Sequence, residues 1–173
     1  MEHIDVLDKH GNKTGKTKER GQPLQEGEYC HIVHVWIAND KGEFLISKRP
    51  TSKKTDPDKW EPTRGGVVAG EESLMAAVRE VNEELRLVFS PEKGRLIKSY
   101  VSSTNDAIVD VWLFRHDVDI SKIAYQPEEV ADVQWATGVL IKQMMAEDIF
   151  ITTNGYMSYL DELLHAAGSL QPL

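Results

Sequence analysis

Residues 65–87, GGVVAGEESLMAAVREVNEELRL, run from a pair of glycines into a segment with helical periodicity, and their reading decides the fold. At about 100° per residue, Leu74, Val78, Val81 and Leu85 fall on one side of the predicted helix, while Glu80, Glu83 and Glu84 cluster on the other. One face packs and the other collects negative charge. At separations of roughly 6 Å, carboxylates repel one another by about 1 to 3 kcal/mol per pair, depending on how far water reaches them. They also stand toward the C-terminal end of the helix, where the macrodipole disfavours anions. Helix stability alone does not account for such an arrangement.

A solvated acidic helix, with Arg79 and Arg86 in partial compensation, explains the charges but leaves the glycines unexplained. Hard divalent cations, which prefer oxygen ligands and keep several waters, would neutralise the cluster and make the helix half of a phosphate-chemistry site.

The spacing resembles the Nudix box, carried here by Gly65, Glu71, Arg79-Glu80, Val81, Glu83-Glu84 and Leu87. The family's first glycine is Gly65 or, with a turn one residue shorter, Gly66. One position departs: Arg86 stands where the family has a glycine. Glycine at a helix end takes positive φ without strain, so Arg86 must either continue the helix or leave it by another route.

Composition places the chain among ordinary soluble globular proteins: 40% of its 173 residues are hydrophobic and 28% charged, enough for one domain with a sizeable core. Its single cysteine, Cys30, excludes an internal disulfide framework and suits a reducing cytosol. The polar start MEHIDVLDKHGN has no leader-like apolar run, and no stretch is long enough to span a bilayer, so a cytoplasmic protein is expected. A net charge of -8 argues against nucleic acid as a partner. An acidic protein acting on anionic phosphates needs a bridge between like charges, and metal ions supply one.

Residues 4–18 read as a hairpin turning at His10-Gly11-Asn12, a decoration on the core within an N-terminal segment of about 27 residues. Cys30 to Ala38 is apolar on both faces, as in a central strand, and Asn39 to Gly42 turns it into a second strand, Phe44 to Arg49. His31 and His34 fall on opposite faces and read as core or rim histidines rather than metal ligands. Arg49 ends its strand before a lysine-rich loop, 50–59; it could hold substrate phosphates or be solvated, and the loop lysines read as surface. Trp60 reads as a packing anchor. Strands are expected at Leu96 to Ser102, Ala107 to Arg115 and Asp132 to Trp135, with Asp110 read as an edge-facing carboxylate. Two helices, Thr137 to Ala146 and Tyr156 to Ala167 with Gly168 as the stop, form a C-terminal extension over about 137–168. Their methionines read as gap-filling core.

The resemblance implies an α/β fold, an α/β/α sandwich whose mixed β-sheet lies between the box helix and the C-terminal helices, formed by residues 1–173 as a single domain. It also implies hydrolysis of a nucleoside diphosphate derivative or related small diphosphate, with Mg²⁺ (or Mn²⁺) held by Glu80, Glu83 and Glu84. Glu83 and Glu84 are then the primary ligands, Glu80 a ligand or the general base, and Arg79 the residue that orients the glutamates. Glu71 either fixes the turn through backbone hydrogen bonds or reaches a metal. Arg49 closes its strand as a substrate contact, with the glycine turn at Gly65 and Gly66. In such proteins a glutamate from the loop 125–129 often approaches the metals, so Glu129 is a candidate beside its plain reading as a surface carboxylate. The hairpin, the Trp60 entry and the two valines after the glycines also resemble the branch akin to type I isopentenyl-diphosphate isomerase. The position of that enzyme's catalytic cysteine is Arg64 here, and the histidine ligand after it is missing, so alkene protonation is not expected. The alternatives are an isomerase-like protein or a nucleotide sensor without catalysis; intact box glutamates weigh against the sensor. Oligomeric state has no readable code, and a homodimer is carried as an expectation.

Overall fold

The computed structural model describes residues 1–168. Strands β1 (His3–Leu7) and β2 (Lys13–Glu19) form an antiparallel hairpin of their own. Its turn is held by Asp8, whose Oδ1 accepts from the backbone N–H groups of His10 at 2.8 Å and Asn12 at 3.0 Å, while Gly11 takes φ 80°. The main sheet contains β3 (Cys30–Ala38), β4 (Phe44–Lys48), β5 (Trp60–Glu61), β6 (Thr63–Gly66), β7 (Arg95–Val101), β8 (Ala107–Arg115) and β9 (Asp132–Ala136). It is mixed: β3 and β8 run parallel in unbroken register from Cys30↔Ala107 to Ala38↔Arg115, and the other pairings are antiparallel.

Both faces are covered, which is why β3 and β8 carry apolar residues at successive positions. On one side Trp36, Phe44, Val111 and Leu113 pack with α2 (Gly138–Ala146) and α3 (Leu160–Gly168). On the other, Val33, Val35 and Ile37 pack under α1 (Ser73–Leu85) through Ala76, Ala77, Val81 and Leu85. This is the expected α/β/α sandwich. No described helix is long and apolar enough to cross a membrane.

The sheet forks beside the box. β3 meets β4 at Ala38↔Phe44, but its N-terminal half pairs instead with β6, from Val35↔Thr63 to Ile32↔Gly66. β4 turns away to β5 and β9. The chain crosses from one branch to the other at Pro62, a residue with no N–H to leave unpaired. A cleft opens between the branches, and α1 lies along it.

Three local expectations change. Asp110 is an interior residue, 8% exposed, because β7 and β3 flank its strand; His31 Nε2 pairs with its Oδ2 at 2.8 Å. Burial pushes its carboxyl up, but the bonds from His31, Ser73 and Ser99 bring it net below the ordinary value. The last helix begins at Leu160, not Tyr156: residues Tyr156–Ser158 form a 3₁₀ turn after Gly155, which takes φ 78°. The tighter turn nearly eclipses positions three apart, and Tyr156 and Tyr159 both enter the core. Gly168 is the last described residue of α3, and whether it stops the helix lies outside the described residues. Arg86 leaves α1 at φ 56°, ψ 25°, the left-handed exit ordinarily taken by glycine, with its N–H bonded to Asn82 O at 3.0 Å. That conformation costs a side-chain-bearing residue about 1 kcal/mol.

Candidate active site

The two glycines before α1 are demanded by what lies against them. A Cβ on Gly65 would stand 1.9 Å from Cδ of Glu80, and one on Gly66 would stand 2.2 Å from Nη2 of Arg20. The strand thus lets a carboxylate approach one face and a guanidinium the other. The helix begins after a turn closed by Glu71, whose Oε2 accepts from Val68 N–H at 3.2 Å.

Arg79 organises the acidic face. Its Nε and Nη2 bond the two carboxylate oxygens of Glu71, both at 3.0 Å, and Nη2 also donates to Gly66 O at 2.9 Å. Its Nη1 reaches Glu80 Oε1 at 2.7 Å and Glu83 Oε2 at 3.3 Å. These partners, Glu71 first, hold the guanidinium above its ordinary range. Both oxygens of Glu71 are engaged by Arg79, and Oε2 also by Val68 N–H.

Glu80 is buried, and burial pushes its carboxyl upward against the opposing pull of Arg79. Glu84, partly exposed within the cleft, is pushed well above the ordinary carboxylate range by desolvation and by the charges of Glu61 and Glu80. Glu83 stands half exposed at the rim. Glu129 is brought over the cleft because its loop is tied to the helix end, Gln126 N–H bonding Glu84 O at 2.9 Å. Its Oε2 meets Lys53 Nζ at 2.5 Å, an exposed pair that ties the loop read as surface to the cleft's rim.

Two adjoining cavities result. One, about 340 Å³, is lined by Glu80, Glu83, Glu84, Glu129, Arg64 and Arg20. The other, about 410 Å³, shares Arg20, Arg64, Glu84 and Glu129 and adds apolar walls from Ile4, Leu24 and Ile32. Arg49 borders the second cavity, but its Nη1 bonds Glu61 at 2.6 Å while Nε and Nη2 bond Thr55 O at 3.1 and 3.0 Å. Cys30 and His31 also border it. His34 does not: it is buried against Tyr159, its Nδ1 3.0 Å from the hydroxyl.

Three residues of the site escaped the sequence reading. Glu61, 6% exposed, accepts from Arg49 Nη1 and Arg64 Nε, each at 2.6 Å, and from Tyr156 Oη at 3.5 Å. A glutamate between Trp60 and Pro62 beside the box was the available signal for it. Arg64 is visible as a charge within a strand, whereas nothing local marks Arg20, which the hairpin delivers from a distant part of the chain.

The donor set fits a hard dication: Glu80, Glu83 and Glu84 offer only oxygen, and like-charge crowding around Glu84 is relieved by a bound cation. As arranged, no three His, Cys, Asp or Glu side chains among the described residues converge to hold one ion. Glu80 and Glu83 are turned onto Arg79, which supplies the cluster's positive charge.

The chain is similar to known proteins over most of its length. An uncharacterized Nudix hydrolase of Listeria monocytogenes is 36% identical over 152 residues, covering 87% of this chain and 89% of its own. An isopentenyl-diphosphate Delta-isomerase of Escherichia coli is 27% identical over 139 residues, covering 78% and 76%. The crystal structure of DR0079 from Deinococcus radiodurans superposes with a TM-score of 0.73 at 21% identity, covering 96% of this chain and 99% of that one, a likeness of fold. The NUDIX domain profile matches residues 29–146, from the start of the central sheet to the end of α2, and the chain therefore belongs to the Nudix family.

Proposed function

We propose that this Nudix protein is a metal-dependent pyrophosphohydrolase that cleaves the diphosphate linkage of a nucleoside diphosphate derivative or a related small diphosphate by attack of water on phosphorus. The observation that carries this reading is that Glu80, Glu83 and Glu84 line one cleft, with the Arg79 guanidinium bonded to the first two. Glu80, Glu83 and Glu84 would hold Mg²⁺ or Mn²⁺, which when bound neutralises the diphosphate, polarises a phosphoryl oxygen and acidifies water. Glu83 and Glu84 would be the primary ligands, and Glu80, bonded to Arg79 through Oε1, either a further ligand or the base that accepts the proton of the attacking water. Arg79 orients Glu80 and Glu83 while Glu71 fixes the turn under them, so Glu71 acts through Arg79 rather than as a ligand. Glu129, steadied by Lys53, borders the same cleft.

The isomerase reading finds no support in the site: protonating an alkene needs an acid where this chain has Arg64, paired with Glu61. The net charge of -8 keeps nucleic acid outside the reading.

The test is a phosphate-release screen of purified protein with Mg²⁺ or Mn²⁺ against nucleoside triphosphates, nucleotide sugars, dinucleoside polyphosphates, ADP-ribose and isopentenyl diphosphate. Release abolished by EDTA from any of them establishes hydrolysis and names the substrate class. No release from the whole panel, with tight metal-dependent ligand binding, would favour a sensor.

A further inference from the structure

Four arginines surround the cleft, and their hydrogen bonds divide them into two pairs. Arg79 and Arg49 are engaged throughout by protein acceptors: Arg79 by Glu71, Glu80, Glu83 and Gly66 O, Arg49 by Glu61 and Thr55. Arg64 is fixed through Nε alone, to Glu61 at 2.6 Å. Arg20 is fixed through Nη1 alone, to Glu2. Among the described residues, the Nη groups of Arg64 and the Nε and Nη2 of Arg20 make no hydrogen bond. Both side chains border both cavities, at the boundary between the carboxylate cleft and the pocket walled by Ile4, Leu24 and Ile32.

We propose that Arg20 and Arg64 form an anion clamp for the substrate's diphosphate, Arg20 being supplied by the N-terminal hairpin and admitted by the missing side chain of Gly66. The proposal rests on the hydrolase reading and deepens it. Guanidinium groups suit this task because their planar N–H edges match phosphate oxygens in pairs. Glu61 and Glu2 preset the two forks by holding one donor position of each, so less rotamer freedom is lost when an anion arrives. A diphosphate held at this boundary has the glutamates on one side, and the group it carries enters the 410 Å³ cavity under the hairpin. The hairpin, read from sequence as decoration, becomes one wall of the substrate site and a source of its specificity.

The experiment compares wild type, Arg20→Ala, Arg20→Lys and Gly66→Ala in two assays: steady-state hydrolysis of the best substrate from the screen, and calorimetric binding of inorganic pyrophosphate with Mg²⁺. Arg20 is about half exposed, so its removal leaves the fold in place, which a thermal melt verifies. For Arg20→Ala, KM is expected to rise about 10- to 100-fold, more than kcat falls, with pyrophosphate affinity at least tenfold weaker. Arg20→Lys should recover part of the loss. Gly66→Ala, which displaces the guanidinium without removing it, should weaken binding in the wild type and add little in the Arg20→Ala background. Turnover by the wild type with an unchanged KM in Arg20→Ala overturns the clamp and leaves the hydrolase reading standing. If the wild type turns over nothing, the hydrolase reading fails, and the pyrophosphate arm alone decides the clamp. Equal affinity in wild type and Arg20→Ala, or no binding to either, overturns it; tenfold weaker binding in the variant supports it.

Discussion

Glu71 and Arg79, eight residues apart, close a two-pronged ion pair in which Nε and Nη2 of the guanidinium meet the two carboxylate oxygens at 3.0 Å each. The pair joins the turn after the glycines to the second turn of α1, and the remaining donor of Arg79 then fixes Glu80 and Glu83. One side chain sets both the backbone of the loop and the aim of the acidic face. Arg79→Ala should destabilise the protein by about 2 to 4 kcal/mol, because it leaves several partly buried carboxylates without their cation. Arg79→Lys keeps the charge and loses the fork, so it should fall between the two in urea denaturation. A lysine variant as stable as the wild type would show that fork geometry contributes nothing.

Gly65 is the contact surface for Glu80. Its replacement by alanine puts a methyl 1.9 Å from the Glu80 carboxyl carbon, a distance only displacement can relieve. Gly65→Ala is expected to cost about 1 to 3 kcal/mol of stability and to lower turnover at least tenfold. Paired thermal melts and rate measurements check both, and normal turnover would remove Glu80 from the site in the position described.

Glu83 and Glu84 should respond differently to the same isosteric change. Glu83 is half exposed, so Glu83→Gln should keep the fold and cut turnover by about two to four orders of magnitude. Near-normal turnover in that variant would take the helix out of the mechanism. Glu84→Gln should also impair turnover, yet in EDTA it should raise stability by about 1 kcal/mol, because it removes a desolvated charge beside Glu61 and Glu80. Mg²⁺ at a hundredfold excess over its dissociation constant should stabilise the wild type by about 2.7 kcal/mol and both variants by less. Calorimetric melts with and without Mg²⁺ distinguish these cases.

His34 is expected to weaken the fold in acid. Its burial, with a smaller contribution from the charge of Arg64, lowers its pKa from 6.5 to about 3. A histidine with a depressed folded-state pKa favours the folded protein above its unfolded value, and that contribution is lost as pH falls from about 6.5 toward 3. Each pH unit in this window should remove about 1.4 kcal/mol relative to a variant that cannot titrate. Melts of wild type and His34→Gln from pH 7 to 4 should show the wild type losing its advantage as the solution is acidified. Parallel curves would mean that another group controls acid unfolding.

The sequence alone specified the elements that depend on local pattern. Cys30–Ala38 and Ala107–Arg115 are apolar at successive positions, which only strands covered on both faces tolerate, and they are the parallel pair at the sheet's centre. The spacing from Gly65 to Leu87 announced a glycine turn and an acidic helix, since helical periodicity is written in the order of residues. Placement across the chain was decided by tertiary structure. The fork of the sheet depends on β3 exchanging β4 (FLISK) for β6 (TRGG), a change of partner that neither strand's own pattern specifies. Asp110 became interior because β7 and β3 closed on both sides of its strand, and Arg20 entered the site because a separate hairpin docks over Gly66. Spacing within a helix is a property of the chain's own geometry. Contacts between segments dozens of residues apart depend on how whole surfaces fit, and no local pattern encodes that fit.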